Sequence, residues 1–145
     1  MHSARPIFYG GQYSCEEERV RGWLSENGAD WERLQLVPGF YDRTLVPQTK
    51  RDLGLSQVAV AMLDCDIYSS TKLALSWLDD LLVPGSVVVL DDFDAYGDDE
   101  RSWEDGQRRA LKEYAATASW ELEELFRYGE GLRGGQAFVC TRRRQ

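Results

Sequence analysis

Four aspartates follow two very apolar runs of the sequence, and this spacing is suited to binding a metal ion. Asp64 and Asp66 come after the run "VAVAML", and Asp91 and Asp92 come after "SVVVL". Carboxylates crowded together repel each other, so a bound cation would relieve the repulsion. Oxygen ligands with no histidine or cysteine partner suit Mg²⁺, Mn²⁺ or Ca²⁺ better than zinc. The residue types therefore indicate an oxygen-only divalent-metal site.

The two apolar runs are predicted to be neighbouring parallel strands joined by a helix. Neither run alternates, which is typical of strands buried on both faces of a parallel sheet. The segment "YSSTKLALSWLDDLLVPG" has leucines at helical spacing, a Ser or Thr start and a Pro84–Gly85 stop. Ligands bind beyond the carboxyl ends of such strands. Asp64 and Asp91 are 91 − 64 = 27 residues apart in sequence, yet we expect them about 5 Å apart in space, the distance between adjacent strands.

A purely structural interpretation of these aspartates stays open. An aspartate after a buried strand often caps the following helix, and "DIYSST" would place Asp66 in that role. The pair Asp91 and Asp92 is also typical of the start of a polar loop. One such pair alone would favour the structural interpretation, whereas two pairs converging on adjacent strand ends favour a site.

The other candidates for chemistry carry weaker signals. His2 is the only histidine and lies near the terminus, so histidine catalysis and histidine-ligated zinc are not expected. The hydroxyl run Ser69, Ser70 and Thr71 has no partner base and is expected to begin a helix. The glycine pairs at 10–11 and 134–135 do not form a phosphate-loop pattern and predict turns.

The rest of the chain is predicted to complete one α/β layer structure. A helix is expected from Ser14 to Asn27, then a short strand in "WERLQLVPG" and a short or irregular helix near Pro47. The acidic loop "FDAYGDDERSWED" is either a lid or a solvated connection, and a helix follows in "GQRRALKEYAATAS". Strands are expected in "WELEELFRYG" and "GGQAFVCTR". We predict a single partial domain over 1–145, with an N-terminal loop at 1–13 and a basic tail at 142–145.

Composition limits the classes of partner. The 145 residues carry a net charge of −8, whereas binding a nucleic-acid backbone needs a basic surface. No run reaches the ~20 apolar residues of a membrane span, and the N-terminus lacks the apolar core of a signal peptide. The number of cysteines is odd, and none of them belongs to a CxxC motif. Cys15, Cys65 and Cys140 are therefore expected to be reduced thiols. These features predict a cytoplasmic protein that binds neither nucleic acid nor membrane.

The run "AMLDCDIYSSTKLALSWLDDLLVPGSVVVLDDF" resembles the signature of the macrocin O-methyltransferase family. The likeness extends from about Ser14 to Arg142, with Ser86 in place of the second glycine of the family's "PGG". It implies an S-adenosylmethionine-dependent, Mg²⁺-assisted enzyme that methylates a sugar or related hydroxyl in secondary metabolism.

The resemblance also implies roles for the four aspartates. Asp64, Asp91 and Asp92 match the family's metal ligands, and Asp66 matches the position of the general base. A supporting role for Asp66, or an exchange of roles between Asp64 and Asp66, stays open. A hydrolase or phosphotransferase using the same acids is disfavoured, because no nucleophile or phosphate loop accompanies them.

The implied fold is the C-terminal portion of a Rossmann-like class I methyltransferase sheet with flanking helices. Its first two strands and glycine-rich turn are expected to be missing, which would leave the "AVAML" strand with an open edge. A truncated reading frame, a separately supplied N-terminal half or a homo-oligomer would each account for this. The chain therefore assigns no residues to the cofactor. The alternative function is a catalytically incompetent fragment, or a metal-binding and interaction module that needs a partner chain.

Overall fold

A computed structural model describes residues 14–95, 106–130 and 134–143. Contacts group the chain into two compact units, residues 1–44 and 45–145, and the four aspartates belong to the second. The first unit contains α1 (Glu17–Glu26) and α2 (Tyr41–Thr44). The second contains α3 (Pro47–Asp52), β1 (Val58–Leu63), α4 (Tyr68–Leu78), β2 (Leu82–Leu90), α5 (Gln107–Thr117), β3 (Trp120–Tyr128) and β4 (Gly135–Arg143).

The four strands form a mixed sheet in the order β1-β2-β4-β3. β1 and β2 are parallel, as predicted, and α4 connects them. β4 runs antiparallel to both of its neighbours, β2 and β3. The pairing of β1 with β2 aligns their last residues, Leu63 with Leu90. The residues that follow these two strands therefore emerge side by side.

The predicted helix stop at Pro84–Gly85 is wrong. α4 already ends at Leu78, and both residues lie within β2. The pairing with β1 is irregular there, because Leu82 pairs with Val58 whereas Val87 pairs with Val60. Ser86 holds this bulge: its buried hydroxyl accepts the N–H of Val83 at 2.9 Å and donates to the carbonyl of Val58 at 2.5 Å. The serine that departs from the family pattern thus supplies hydrogen bonds that a glycine has no side chain to make.

The core lies on the face of the sheet that packs against α4 and α5. Leu75 from α4, Ala110 from α5 and Val88 from β2 are completely buried in it. The opposite face is different, because Val60 and Met62 of β1 are 64% and 61% exposed. The prediction that β1 is buried on both faces is therefore wrong for this chain. An apolar run shows what a strand face favours, but not which element covers it.

The first unit has less regular structure than the sequence predicted. α1 begins at Glu17, three residues after the expected start at Ser14, and its N-cap is Glu16. The predicted strand in "WERLQLVPG" does not form: residues 31–33 make a turn and 34–38 have no regular structure. The indole of Trp31 instead donates to the hydroxyl of Ser25 at 3.0 Å. Alternation alone does not make a strand, because its backbone needs a partner strand.

Some of the predicted features lie outside the described residues, whereas the cysteines and the C-terminal strand lie within or partly within them. The acidic loop from residue 96 to 105, His2 and the N-terminal loop at 1–13 lie outside the described residues. The cysteines are free thiols, exposed at Cys15 and buried at Cys140. β4 continues to Arg143, and Arg142 pairs with Glu121 at 2.8 Å. Within the described ranges, no helix has the length and apolar character needed to cross a membrane.

Candidate metal centre

The ends of β1 and β2 bring three of the predicted site residues together. The N–H of Asp91 donates to the carbonyl of Leu63 at 3.1 Å, which continues the strand pairing one step beyond Leu90. Asp64 directly follows Leu63, the last residue of β1, which pairs with Leu90 just before Asp91. One carboxylate oxygen from each of Asp64, Asp91 and Asp92 lies within 4.8 Å of the others.

Asp66 lies beside this cluster in a strained backbone conformation. Its φ of 53° is the only positive φ of a non-glycine residue among those described, and such a conformation costs of order 1 kcal/mol or more. Its N–H donates to Oδ2 of Asp92 at 3.2 Å. The N-cap of α4 is Ile67, with no side-chain cap hydrogen bond. The capping alternative for Asp66 is therefore wrong.

Gln107, which the sequence did not single out, lies behind the acids at the start of α5. Its side chain is 1% exposed. Oε1 accepts the N–H of Asp92 at 3.0 Å, and Nε2 donates to the carbonyl of Leu63 at 2.9 Å. A single buried amide therefore ties together the ends of both parallel strands.

Tyr128, at the end of β3, is a second contact that the sequence did not reveal. Its hydroxyl donates to Oδ1 of Asp91 at 2.5 Å. It pairs across the strands with Gly135, where an added Cβ would collide with the tyrosine ring. A side chain at position 135 would therefore displace the ring of Tyr128, and the sequence alone does not show that these two residues pair.

Burial and neighbouring negative charges disfavour the charged forms of Asp64 and Asp92 and raise the pKa of each carboxyl. Burial raises the pKa of Asp64, and the charges of Asp91 and Asp66 add to the effect. Burial also raises the pKa of Asp92 to about 7, with further contributions from the hydrogen bond and charge of Asp66 and the charge of Asp64. The pKa of Tyr128 is raised by burial and by its hydrogen bond to Asp91, so the phenol keeps its proton. A protein without a cation thus holds less negative charge here than its sequence suggests.

The nearby Asp94 shows how an acid in this region is otherwise neutralised. Its carboxylate accepts hydrogen bonds from Arg127 at 2.6 and 2.7 Å and forms an ion pair with the buried Arg108. The ion pairs found among the described residues use acids such as Asp94, Asp80 and Glu113 rather than the three clustered aspartates. The three clustered aspartates therefore repel each other, and no Lys or Arg side chain among the described residues forms an ion pair with them.

The donor set fits a hard divalent cation. Oxygens that share one Mg²⁺ or Ca²⁺ lie within roughly 3–5 Å of each other, since each metal–oxygen distance is about 2.0–2.6 Å. The separation of up to 4.8 Å among Asp64, Asp91 and Asp92 falls in this range. All three groups are carboxylates, a donor set that suits magnesium, manganese or calcium better than zinc.

Fold and site together define an α/β protein with an acidic centre at the carboxyl ends of two parallel strands. The chain belongs to the macrocin O-methyltransferase (TylF) family, whose family model matches residues 11–116. A comparison with curated proteins finds no match. The family match includes the four aspartates and Gln107 but ends before β3, whereas the resemblance had been expected to reach Arg142. Tyr128 and its contact with Asp91 therefore lie beyond the matched region.

Proposed function

We propose that this chain is the acceptor-activating part of an S-adenosylmethionine-dependent, divalent-metal-assisted O-methyltransferase that acts on a hydroxyl of a sugar or related natural product. The main support is that carboxylate oxygens of Asp64, Asp91 and Asp92 lie within 4.8 Å of one another in a member of this family. Membership supports methyl transfer to oxygen, and the carboxylate cluster supports a metal as the means of activating that oxygen.

Each aspartate has a distinct task in this proposal. Asp64, Asp91 and Asp92 would hold Mg²⁺ or a similar ion, which when bound would orient the acceptor hydroxyl and lower its pKa. The carboxylate of Asp66 would take the proton of the acceptor hydroxyl. S-adenosylmethionine, when bound, would supply the methyl group for that oxygen and would leave as the neutral thioether. Asp64 and Asp66 could also have exchanged roles, and the experiment below distinguishes the two assignments.

We further propose that the sheet is the C-terminal portion of a Rossmann-like class I methyltransferase fold. The parallel pair β1 and β2, joined by α4, supports a βαβ unit, and β4 and β3 extend the same sheet. In folds of this kind ligands bind beyond the carboxyl ends of the parallel strands, where the four aspartates lie.

A second candidate function is an interaction module that binds metal and works only with a partner chain. It is favoured by β1, which is the outermost strand of the described sheet and carries the exposed Val60 and Met62. A strand of this composition without charged residues is suited to pairing with another strand, either from a second copy or from a different chain. In this case the chain alone would bind Mg²⁺ without transferring methyl groups.

Methyl transfer from labelled S-adenosylmethionine to a panel of sugar-bearing acceptors tests the proposal. We expect Mg²⁺-dependent transfer that is lost on chelation. Asp91→Asn should weaken Mg²⁺ binding, whereas Asp66→Asn should leave binding mostly intact and remove turnover. Asp80→Asn is the control, because Asp80 is an exposed acid that pairs with Lys50 outside the cluster.

The results separate the candidate functions. If a folded sample binds no S-adenosylmethionine at millimolar concentration, the idea that this chain alone is an enzyme fails. Mg²⁺ binding without transfer would favour the interaction module. If Asp66→Asn abolishes Mg²⁺ binding while Asp64→Asn preserves it, the two residues have exchanged roles.

A further inference from the structure

We propose that Gln107 is a positioning residue for the metal centre: its buried amide ties the end of β1 to the end of β2 and so keeps Asp64 and Asp92 within reach of one cation. This inference rests on the proposed metal site. It assigns a role to a residue outside the strands that carry the ligands.

The first argument is the position of the two bonds. Gln107 accepts from the N–H of Asp92 itself and donates to the carbonyl of Leu63, the residue directly before Asp64. Asp92 lies two residues beyond the end of β2 at Leu90, so strand pairing does not position its backbone. The amide of Gln107 thus fixes a part of the chain that the sheet leaves unspecified.

The second argument is energetic. Gln107 is 1% exposed, and its amide would lose free energy if it were buried without partners. The N–H of Asp92 and the carbonyl of Leu63 satisfy both ends of that amide at 3.0 and 2.9 Å. Buried and satisfied at both ends, the side chain has little freedom to move. It therefore adds a rigid side-chain link between the carbonyl of Leu63 and the N–H of Asp92 to the backbone pairing of the two strands.

The third argument is the repulsion within the cluster. The carboxylate oxygens of Asp64, Asp91 and Asp92 lie within 4.8 Å of one another, and like charges this close repel, so the carboxylates would separate if their backbones were free to do so. Groups that support metal ligands typically change metal affinity by about 10–100-fold when they are replaced. We expect an effect at the lower end of this range, because Gln107 contacts the backbone of the ligands rather than their carboxylates.

The chain offers a matched control in Gln136 on β4. It is also 1% exposed, and its Nε2 donates to the carbonyl of Phe126 at 2.9 Å. This buried glutamine ties β4 to β3 instead of β1 to β2. Replacing either glutamine by methionine keeps a side chain of similar length and removes a buried amide bridge. The side-chain amide of Gln136 donates to Phe126 and Ala137 and to neither strand end that carries an aspartate, so we expect only the substitution at Gln107 to loosen those ends.

The experiment compares Mn²⁺ binding to the full chain, followed by electron paramagnetic resonance, with thermal unfolding of the same samples. We expect Gln107→Met to raise the dissociation constant about tenfold and Gln136→Met to leave it within about twofold of the wild type, with comparable losses of Tm. Wild-type affinity in a folded Gln107→Met variant would overturn the proposal. Equal weakening by both variants would also overturn it, because the effect would then be a general loosening of the sheet.

A measurement on the unaltered chain keeps the test decisive if the variants do not fold. In a Mg²⁺ titration followed by nuclear magnetic resonance, the side-chain amide signals of Gln107 should shift with the same midpoint as the backbone amide of Asp92. The side-chain signals of Gln136 should stay in place. If Asp92 responds and Gln107 does not, Gln107 is not coupled to the site. If no signal near the aspartates responds, the proposed metal site itself fails, and the inference with it.

Discussion

Replacing Asp92 by asparagine should stabilise the metal-free protein and abolish its response to Mg²⁺. The substitution removes one negative charge from the cluster, while the new amide oxygen can still accept the N–H of Asp66, which now lies 3.2 Å from Oδ2. Two unit charges 4.8 Å apart, the outer limit found here, repel by ~3.5 kcal/mol at an effective dielectric constant of ~20 and by ~1 kcal/mol in water. The aspartates are partly exposed, so we expect a gain of about 1–2 kcal/mol at pH 8. This corresponds to a Tm increase of about 3–6 °C in a domain of this size.

The sign of the pH dependence follows from the raised pKa of Asp92. In the folded protein this pKa is about 7, whereas an unfolded aspartate has a pKa of about 3.9. Folding therefore favours the protonated form, and the stabilisation is complete below pH ~4 and is lost as the pH rises through about 7. The wild type should lose stability across this window, and Asp92→Asn should lose less. The difference in Tm between the two proteins should be smaller at pH 5 than at pH 8 and should vanish near pH ~4.

Thermal unfolding at pH 5 and pH 8, with and without Mg²⁺, tests this expectation. Mg²⁺ should raise the Tm of the wild type at pH 8 but have little effect at pH 5, where protons compete for the same oxygens. Glu124→Gln on β3 is the control: it also removes one exposed charge, and it should change stability by less than about 0.5 kcal/mol at either pH. A loss of stability in Asp92→Asn at pH 8, or an equal difference at both pH values, would refute the reasoning.

Two further predictions concern the support of the site. Asp79→Ala should lower the free energy of unfolding, measured in urea, by about 2–3 kcal/mol. Asp79 accepts hydrogen bonds from the hydroxyl of Tyr114 and from both the N–H and the hydroxyl of Ser119. The affinity for Mg²⁺ should not change, and a large change would mean that this region is coupled to the metal site. Gly135→Ala should lower stability by about 1–3 kcal/mol, because the new methyl group collides with the ring of Tyr128. The control Gly22→Ala lies in α1 with open space around it and should be neutral or stabilising in the same thermal assay.

The parallel pair of strands could be predicted because its signals are local. Two apolar runs without alternation, separated by one helical segment, left few possible arrangements, and β1 pairs with β2 accordingly. Pro84 and Gly85 were misleading because such a pair usually ends an element. Here the hydroxyl of Ser86 bridges the bulge and allows β2 to continue through it. Which side chain makes such a bridge depends on a contact with β1 that the sequence does not display.

The aspartates could be predicted from the sequence, but their supporting residues could not. Asp64 and Asp91 directly follow the paired ends of β1 and β2, and Asp92 comes next in the chain, so the predicted strand pairing already places them at one edge of the sheet. Gln107 reaches the same place from the start of α5 and Tyr128 from the end of β3, 44 and 37 residues away from the partners Leu63 and Asp91. No local pattern specifies contacts of this kind, because they depend on how helix and strand pack in three dimensions.

Calorimetric titration of the chain with Mg²⁺ at pH 8 tests the central claim most directly. We predict a single binding site in the wild type that is strongly weakened by Asp91→Asn and unchanged by Asp80→Asn. No binding by a folded wild-type sample, or equal binding by wild type and Asp91→Asn, would contradict the assignment of the three aspartates as a metal centre.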